Sequence, residues 1–146
     1  MRYIGSGFKE LATNRSIKFS IESECPGMNI WFDDTKMQRI LNNIYSNAFK
    51  FTPDGGLIST IVATEKKDEK IFVRIEISDT GCGISEKDLN VIFDRFYQSE
   101  PIPGVTGSGI GLHMVKEYVS LHNGKIEVHS KIGVGTTFLI YIPSDL

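Results

Sequence analysis

The apolar positions of this chain change their period several times, and each change predicts an element. Ile17-Lys18-Phe19-Ser20-Ile21 alternates apolar with polar, the period of a half-buried strand. Asn29 to Phe32 is a short apolar run that reads as a second strand. From Asp34 to about Phe51 the spacing becomes helical, with Asp33 and Asp34 offering an N-cap. Met37, Ile40, Leu41, Ile44, Ala48 and Phe51 fall within one arc of about 100°, which predicts the core face of that helix. Pro53-Asp54-Gly55-Gly56 is a turn that stops it.

Leu57 to Thr64 and Ile71 to Ser78 read as strands, joined through the charged tip Glu65 to Lys70 into an antiparallel hairpin. Ser85 caps a short helix that carries Glu86 and Asp88 in its first turn. Ile110 to Leu121 reads as a helix ended by Asn123-Gly124. Ile126 to His129 and Thr137 to Ile142 are the last strands, turned by Gly133 to Gly135. Elements that do not strictly alternate predict an α+β two-layer sandwich: a mixed, mostly antiparallel sheet with helices packed on one face.

Length and charge narrow the function classes. The chain has 146 residues, which suits one domain spanning 1–146, with residues 1–15 read as a linker or leading helix from another domain of a longer parent. Eighteen acidic against sixteen basic residues give a net charge of -2, so there is no electrostatic footprint for nucleic acid or for an anionic membrane. A local basic pocket is compatible with that balance. Cys25 and Cys82 lack metal-type spacing and read as reduced thiols of a cytoplasmic protein. No apolar run approaches the roughly 18 residues of a membrane span.

Three groups of residues carry candidate chemistry. Asn43, Asn47 and Lys50 form a polar stripe beside the core face of the long helix. Asn is a poor helix former, so two of them one turn apart call for a reason. A solvated face is one; oxygen ligands for a hard cation, with a lysine for phosphate, is the other. Asp79-Thr80-Gly81-Cys82-Gly83 closes a strand with a carboxylate that can accept from an exocyclic amine, followed by glycines that let backbone approach a flat ring. The plain alternative is a tight Asp-Gly turn. Gly107-Ser108-Gly109-Ile110-Gly111 opens a helix with unhindered N–H groups, suited to phosphate, although it lacks the Lys-Ser/Thr ending of a P-loop. Ahead of it, Gln98 to Thr106 has the composition of a mobile lid.

Taken in this order, the pieces resemble the histidine-kinase-type ATPase family and its Bergerat fold. The stretch Asn42 to Thr52 resembles the family's N box, and Asp79 to Gly83 its DxGxG box. Phe93-Asp94-Arg95-Phe96 resembles the F box of histidine kinases, Gly107 to Leu112 the GxGxGL box, and Gly133 to Phe138 the last glycine box. The resemblance runs from about Phe8 to Pro143 and is closest to the catalytic ATP-binding domain of bacterial sensor histidine kinases.

That resemblance implies ATP and magnesium as cofactors. Asn47 would hold magnesium, with Asn43 as ligand or support. Lys50 would meet phosphate, Asp79 would accept the adenine amine, and Gly83 would let adenine approach. Gly107, Gly109 and Gly111 would offer N–H groups to the phosphates, and Arg95 would either reach the terminal phosphate or form a structural salt bridge. Gly81, Ile84, Phe96, Ser108, Ile110 and Leu112 would complete the ATP site, and Thr136 or Thr137 would support the adenine end. Asn43 stands where gyrase, mismatch-repair and heat-shock relatives carry a glutamate base, which favours phosphoryl transfer to histidine over hydrolysis. Asn43, Lys50 and Arg95 are then the candidate catalytic residues. His113, His122 and His129 lack an acceptor-like context. The implied partners are the dimerisation and phosphoacceptor domain of the same parent and a downstream response-regulator receiver domain, with this domain itself a monomer. A nucleotide-sensing module without catalysis and an autonomous ATPase are the alternatives.

Overall fold

The computed structural model describes residues 2–28, 30–98 and 109–144, with the side chains of residues 2–4 set aside. A helix α1 (Arg2–Asn14) leads into strand β1 (Lys18–Ser23) and the long helix α2 (Asp34–Phe51). The hairpin β2 (Leu57–Lys67) and β3 (Lys70–Asp79) follows, then the one-turn α3 (Glu86–Leu89), α4 (Gly111–Leu121), β4 (Lys125–Lys131) and β5 (Gly135–Pro143). The strands form one sheet in the order β1-β2-β3-β5-β4. The β1–β2 pair is parallel, with α2 in the crossover, and the other three pairs are antiparallel. This is the expected mixed two-layer sandwich.

The register puts every second residue under the helices. Ile58, Thr60, Ile75, Ile77, Phe138, Ile140 and Ile142 share that inner face and are buried. Helix α2 lies over it, started by Asp33, whose carboxylate accepts from the Lys36 N–H at 2.9 Å. Its buried side is wider than the expected arc. Met37, Ile40, Leu41, Ile44 and Ala48 are buried as the periodicity requires, and Tyr45 and Phe49 join them. Both rings sit under α1 and β1: Phe8 lies 5.3 Å from each centroid, and Phe19 5.5 Å from each. Burial that wide comes from a second layer of contacts that one helix's period cannot show. Phe51 continues the stripe in angle, yet it sits in the last turn and is only half buried.

Three further differences have local causes. The run expected as a strand at Asn29 to Phe32 is not one: Ile30, Trp31 and Phe32 are irregular, and Asn29 lies outside the described residues. Trp31 is 89% exposed, so the run's apolar character does not mark burial. The next N–H, that of Asp33, goes to the His122 ring at 2.9 Å instead of to a ladder. The hairpin tip is also shorter than expected. Asp68 and Glu69 both take positive φ, 49° and 63°, the two-residue turn that matches strand twist, so the flanking charged residues remain in the ladder. Finally, the Arg15 side chain caps the far end of α2. Its guanidinium donates to the Phe49 carbonyl, to the Thr52 carbonyl at 2.6 Å and to Asp54 at 2.9 Å. These are carbonyls that a helix end leaves without partners.

One buried hydrogen bond joins helix to sheet. Tyr45 Oη and Thr60 Oγ1 are 2.7 Å apart, and both residues are fully buried. Burial pushes the Tyr45 hydroxyl's pKa up, with the bond to Thr60 opposing it. Removing either hydroxyl leaves the other without its partner, at a cost of about 1–3 kcal/mol. Tyr45→Phe and Thr60→Val should therefore each lower the melting temperature by several degrees. The double variant should lose less than the sum of the two. Additive losses in thermal melts would show that the bond does not couple them.

Candidate functional site

The inner face of the sheet ends in a polar rung. Asp79 pairs with Thr136 across β3 and β5, and Thr136 pairs with Ser130 across β5 and β4. All three carry on the alternation of the buried residues Ile77 and Phe138 and of Val128, so they lie on the helix side of the sheet. The Asp79 carboxylate accepts from the Gly81 N–H at 2.8 Å and from the backbone N–H of Thr136. Desolvation nevertheless dominates and raises its pKa above 3.8, the two N–H bonds opposing the shift. It is a half-buried carboxyl with its oxygens fixed in place.

The turn after Asp79 is held by close backbone approaches. A Cβ at Gly83, where φ is +77°, would stand 2.2 Å from the Lys131 carbonyl oxygen. One at Gly135, where φ is +146°, would stand 2.0 Å from that of Asp79. Both glycines are thus required by protein packed on protein. For Gly83 the neighbour that excludes a side chain is the end of β4, a packing reason beside the one expected. The turn also meets the end of α2, since a Cβ at Gly81 would lie 2.9 Å from the Phe51 carbonyl oxygen. Arg15, Lys50, Phe51, Thr52, Thr80 and Gly81 line an open groove there, with Cys82 and Gly133 at its edge.

Along α2 the polar stripe faces the start of α4. Asn43 spends its amide N–H on the Arg39 carbonyl at 2.8 Å, which leaves Oδ1 as its remaining polar atom. That oxygen is 2.7 Å from where a Cβ on Gly111 would be, so the first residue of α4 lies directly against it. Asn47 is half buried one turn further along. Lys50 Nζ lies 6.0 Å from the Phe51 ring centroid. The N-terminus of α4 has no side-chain cap. The Phe96 N–H donates to the Gly109 carbonyl oxygen at 2.9 Å, which joins the F-box segment to the root of α4.

The expected site residues meet in pairs: Asn43 against Gly111, Asp79 against Gly81 and Thr136, and Lys50 with Gly81 along the groove; the ground between α2, the end of β3 and the start of α4 is the candidate concavity. Ile110 and Leu112 flank Gly111, and half-buried Ile84 packs against the core behind the Asp79 turn. Thr137 is not in the group: it lies on the opposite face of β5, where its hydroxyl bonds Ser78 at 2.8 Å. Arg95 and Phe96 are exposed, with the guanidinium 5.0 Å from the ring centroid, and no described contact carries either into the concavity. Of the segment Gln98 to Thr106 that the sequence suggests as a lid, Gln98 is exposed, and Ser99 to Thr106, with Gly107 and Ser108, lie outside the described residues. His113 bonds the Phe93 carbonyl, His122 bonds Asp33 and Tyr118, and His129 is exposed beside Glu127. Ser130 escaped the sequence reading. The signal was there: a serine at an inward position of an otherwise apolar alternation, Ile126 and Val128, just before a glycine turn.

Residues 32–146 match the family described as histidine kinase-, DNA gyrase B- and HSP90-like ATPase, and the chain belongs to it. Histidine kinase P4 of Formosa agariphila is 35% identical over 98% of this chain and 10% of its own length. Hybrid signal transduction histidine kinase D of Dictyostelium discoideum is 40% identical over 96% and 9%. The chain thus spans about a tenth of the curated relatives it matches. The catalytic domain of histidine kinase ThkA shares the fold with a TM-score of 0.82, at 24% identity over 98% of this chain and 90% of that one. Full-length ShkA, solved in complex with AMPPNP, aligns with a TM-score of 0.80 and 26% identity over 97% of this chain and 28% of its own. Among the described residues no helix is long and apolar enough to cross a membrane.

The raised pKa of Asp79 has a sign that can be checked. Its folded value exceeds its unfolded one, so the folded state holds the proton more tightly. The stability this contributes is fully present below the unfolded pKa and is lost as pH rises through the folded one. A carbon NMR titration of the Asp79 carboxyl in the ligand-free domain should give a midpoint above 3.8. A midpoint below it would mean that the two backbone N–H donors outweigh burial.

Proposed function

We propose that this chain binds magnesium-ATP in the concavity and donates the terminal phosphoryl group to a histidine on a separate domain of its parent protein. The observation that carries the reading is the Asp79 carboxylate fixed by backbone N–H groups at the end of β3, and the stripe of Asn43, Asn47 and Lys50 on α2, with Asn43 set against the first residue of α4, supports it. In this reading Asp79 accepts the adenine amine. The N–H groups at the start of α4 take phosphate, as helix N-termini do, and Lys50 adds a point charge. The complex of full-length ShkA with AMPPNP supports an adenine nucleotide as the ligand.

The α2 stripe fits magnesium in a particular way. Asn43 is oriented by its own N–H, with a hard amide oxygen turned toward the start of α4. Asn47 supplies the same atom type one turn on. Both are neutral, and no cluster of three or more His, Cys, Asp or Glu side chains occurs among the described residues. Such a donor set binds magnesium chiefly together with the nucleotide's phosphates. Magnesium there would spread the phosphates' charge.

Asn43 cannot take a proton, so the chain has no base at that position to activate water. A neutral imidazole needs less help as a nucleophile. The chain's part is to bind and orient the donor, and the acceptor brings the nucleophile. The leading helix α1 is proposed to continue toward the acceptor domain, and a receiver domain of a response regulator to take the phosphoryl group afterwards. Relatives named as hybrid and sensor histidine kinases support this order. A cytoplasmic setting belongs to the same proposal.

Calorimetric titration tests the site. Asp79→Asn should weaken ATP binding about 10- to 100-fold, because its NH2 group would oppose either the Thr136 N–H or the adenine amine. Wild-type affinity should also fall as pH drops, from a point above the ordinary carboxylate range. Unchanged affinity in the variant would remove Asp79 from the site. Asn47→Ala should weaken binding with magnesium more than without it; an equal loss would contradict the metal role. With radiolabelled ATP the isolated chain should neither release phosphate quickly nor label itself, and adding the parent's acceptor domain should produce acid-labile label on that domain. Rapid release by the chain alone would favour an autonomous ATPase. Absence of transfer in the intact parent, with ATP still bound, would favour a nucleotide-sensing module.

A further inference from the structure

Ser130 makes three hydrogen bonds with one hydroxyl. It accepts from the Ile84 N–H at 2.7 Å, donates to the Gly135 carbonyl at 2.9 Å and lies 2.8 Å from Thr136 Oγ1. A hydroxyl has one proton. The Ile84 N–H can only give and the Gly135 carbonyl can only receive, so the proton of Ser130 is committed to Gly135. The proton in the third bond must then come from Thr136. Its hydroxyl is turned toward Ser130, and what Thr136 Oγ1 keeps for any other partner is its lone pairs. Thr136 sits opposite Asp79 in the register, on the same face. Asp79, when ionised, also only accepts.

We propose that Ser130 is a positioning residue that makes Thr136 an obligate acceptor beside Asp79, so that this end of the site selects a ligand edge bearing an amino group and rejects one bearing a carbonyl oxygen. The proposal rests on the reading of the concavity as an adenine-nucleotide site and adds how the base is chosen. An amino group brings two protons to a pair of acceptors. A 6-oxo purine brings a third acceptor to them, and Thr136 cannot turn to meet it while Ser130 holds its proton. Leaving buried or half-buried polar groups facing like partners is what gives such sites their discrimination. Ser130 also ties the Asp79 turn, through Ile84, to the β4–β5 turn. A merely structural role would therefore show as an equal loss for every nucleotide.

The test compares ATP with inosine triphosphate, in which oxygen replaces the amine and N1 carries a proton, on the wild type, Ser130→Ala and Ser130→Thr. Calorimetry in the presence of magnesium gives the affinities, and thermal melts report the fold. The wild type should prefer ATP. In Ser130→Ala, Thr136 is free to rotate and donate. ATP should then bind about 3- to 10-fold more weakly while inosine triphosphate holds or gains, so that the preference shrinks. Ser130→Thr keeps the hydroxyl and should keep the wild-type ratio. Equal weakening of both nucleotides in Ser130→Ala would overturn the proposal, as would loss of the preference in a folded Ser130→Thr. If Ser130→Ala fails to fold, Thr136→Val removes the same acceptor while leaving the Ile84 bond in place. It too should shrink the preference, and an unchanged ratio would overturn the proposal. A wild type that binds neither nucleotide would instead defeat the adenine-site reading itself.

Discussion

The site depends on how α2 is pressed into the sheet. Its buried side spans Met37 to Phe49 and is covered by strands beneath and by Phe8 and Phe19 beside it. Each fully buried Ile or Leu in such a face contributes about 1.5–3 kcal/mol, so the helix cannot roll. The polar stripe of Asn43, Asn47 and Lys50 is therefore held in place by residues that take no part in chemistry. The same face of the sheet that buries Ile77 and Phe138 ends one register step later in Asp79 and Thr136. Core and site are the two ends of one alternation.

What the periodic positions predict, the structure largely keeps. Helix α2, its Asp33 cap, the β2–β3 hairpin and the Asn123 stop were legible because each is set by residues within a few positions of one another. What was hidden depends on distant partners. Tyr45 and Phe49 are buried by α1 and β1, which the period of α2 cannot reveal. Phe51 obeys the period but falls where the helix ends, so it lines a groove instead of filling the core. Trp31 and Phe32 are apolar without being strand, because nothing pairs with them and the neighbouring N–H of Asp33 goes to His122. Thr136 and Thr137 could be told apart only once β5 was registered against Asp79. The approach of Lys131 to Gly83 likewise depends on a distant strand and could not be read from the turn itself.

Chemically, the concavity is assembled from fixed acceptors at one end and donors at the other. Asp79 and Thr136 are immobilised by backbone N–H groups and by Ser130, while α4 opens with N–H groups and no side-chain cap. Between them stand neutral amide oxygens and one lysine. An amide at Asn43 offers no base at that position, and in the proposed reading the domain's part is to bind and orient a charged donor. That division suits a domain whose nucleophile arrives from elsewhere in a larger protein.

The most direct test of this account is a map of amide and side-chain NMR shifts on adding magnesium and AMPPNP to the isolated domain. The account predicts that the largest changes fall on Asn43, Asn47, Lys50, Asp79, Gly109, Gly111 and Thr136, with the outer sheet face around Glu76, His129 and Tyr141 unmoved. Changes centred on that outer face, or no saturable change at all, would contradict it.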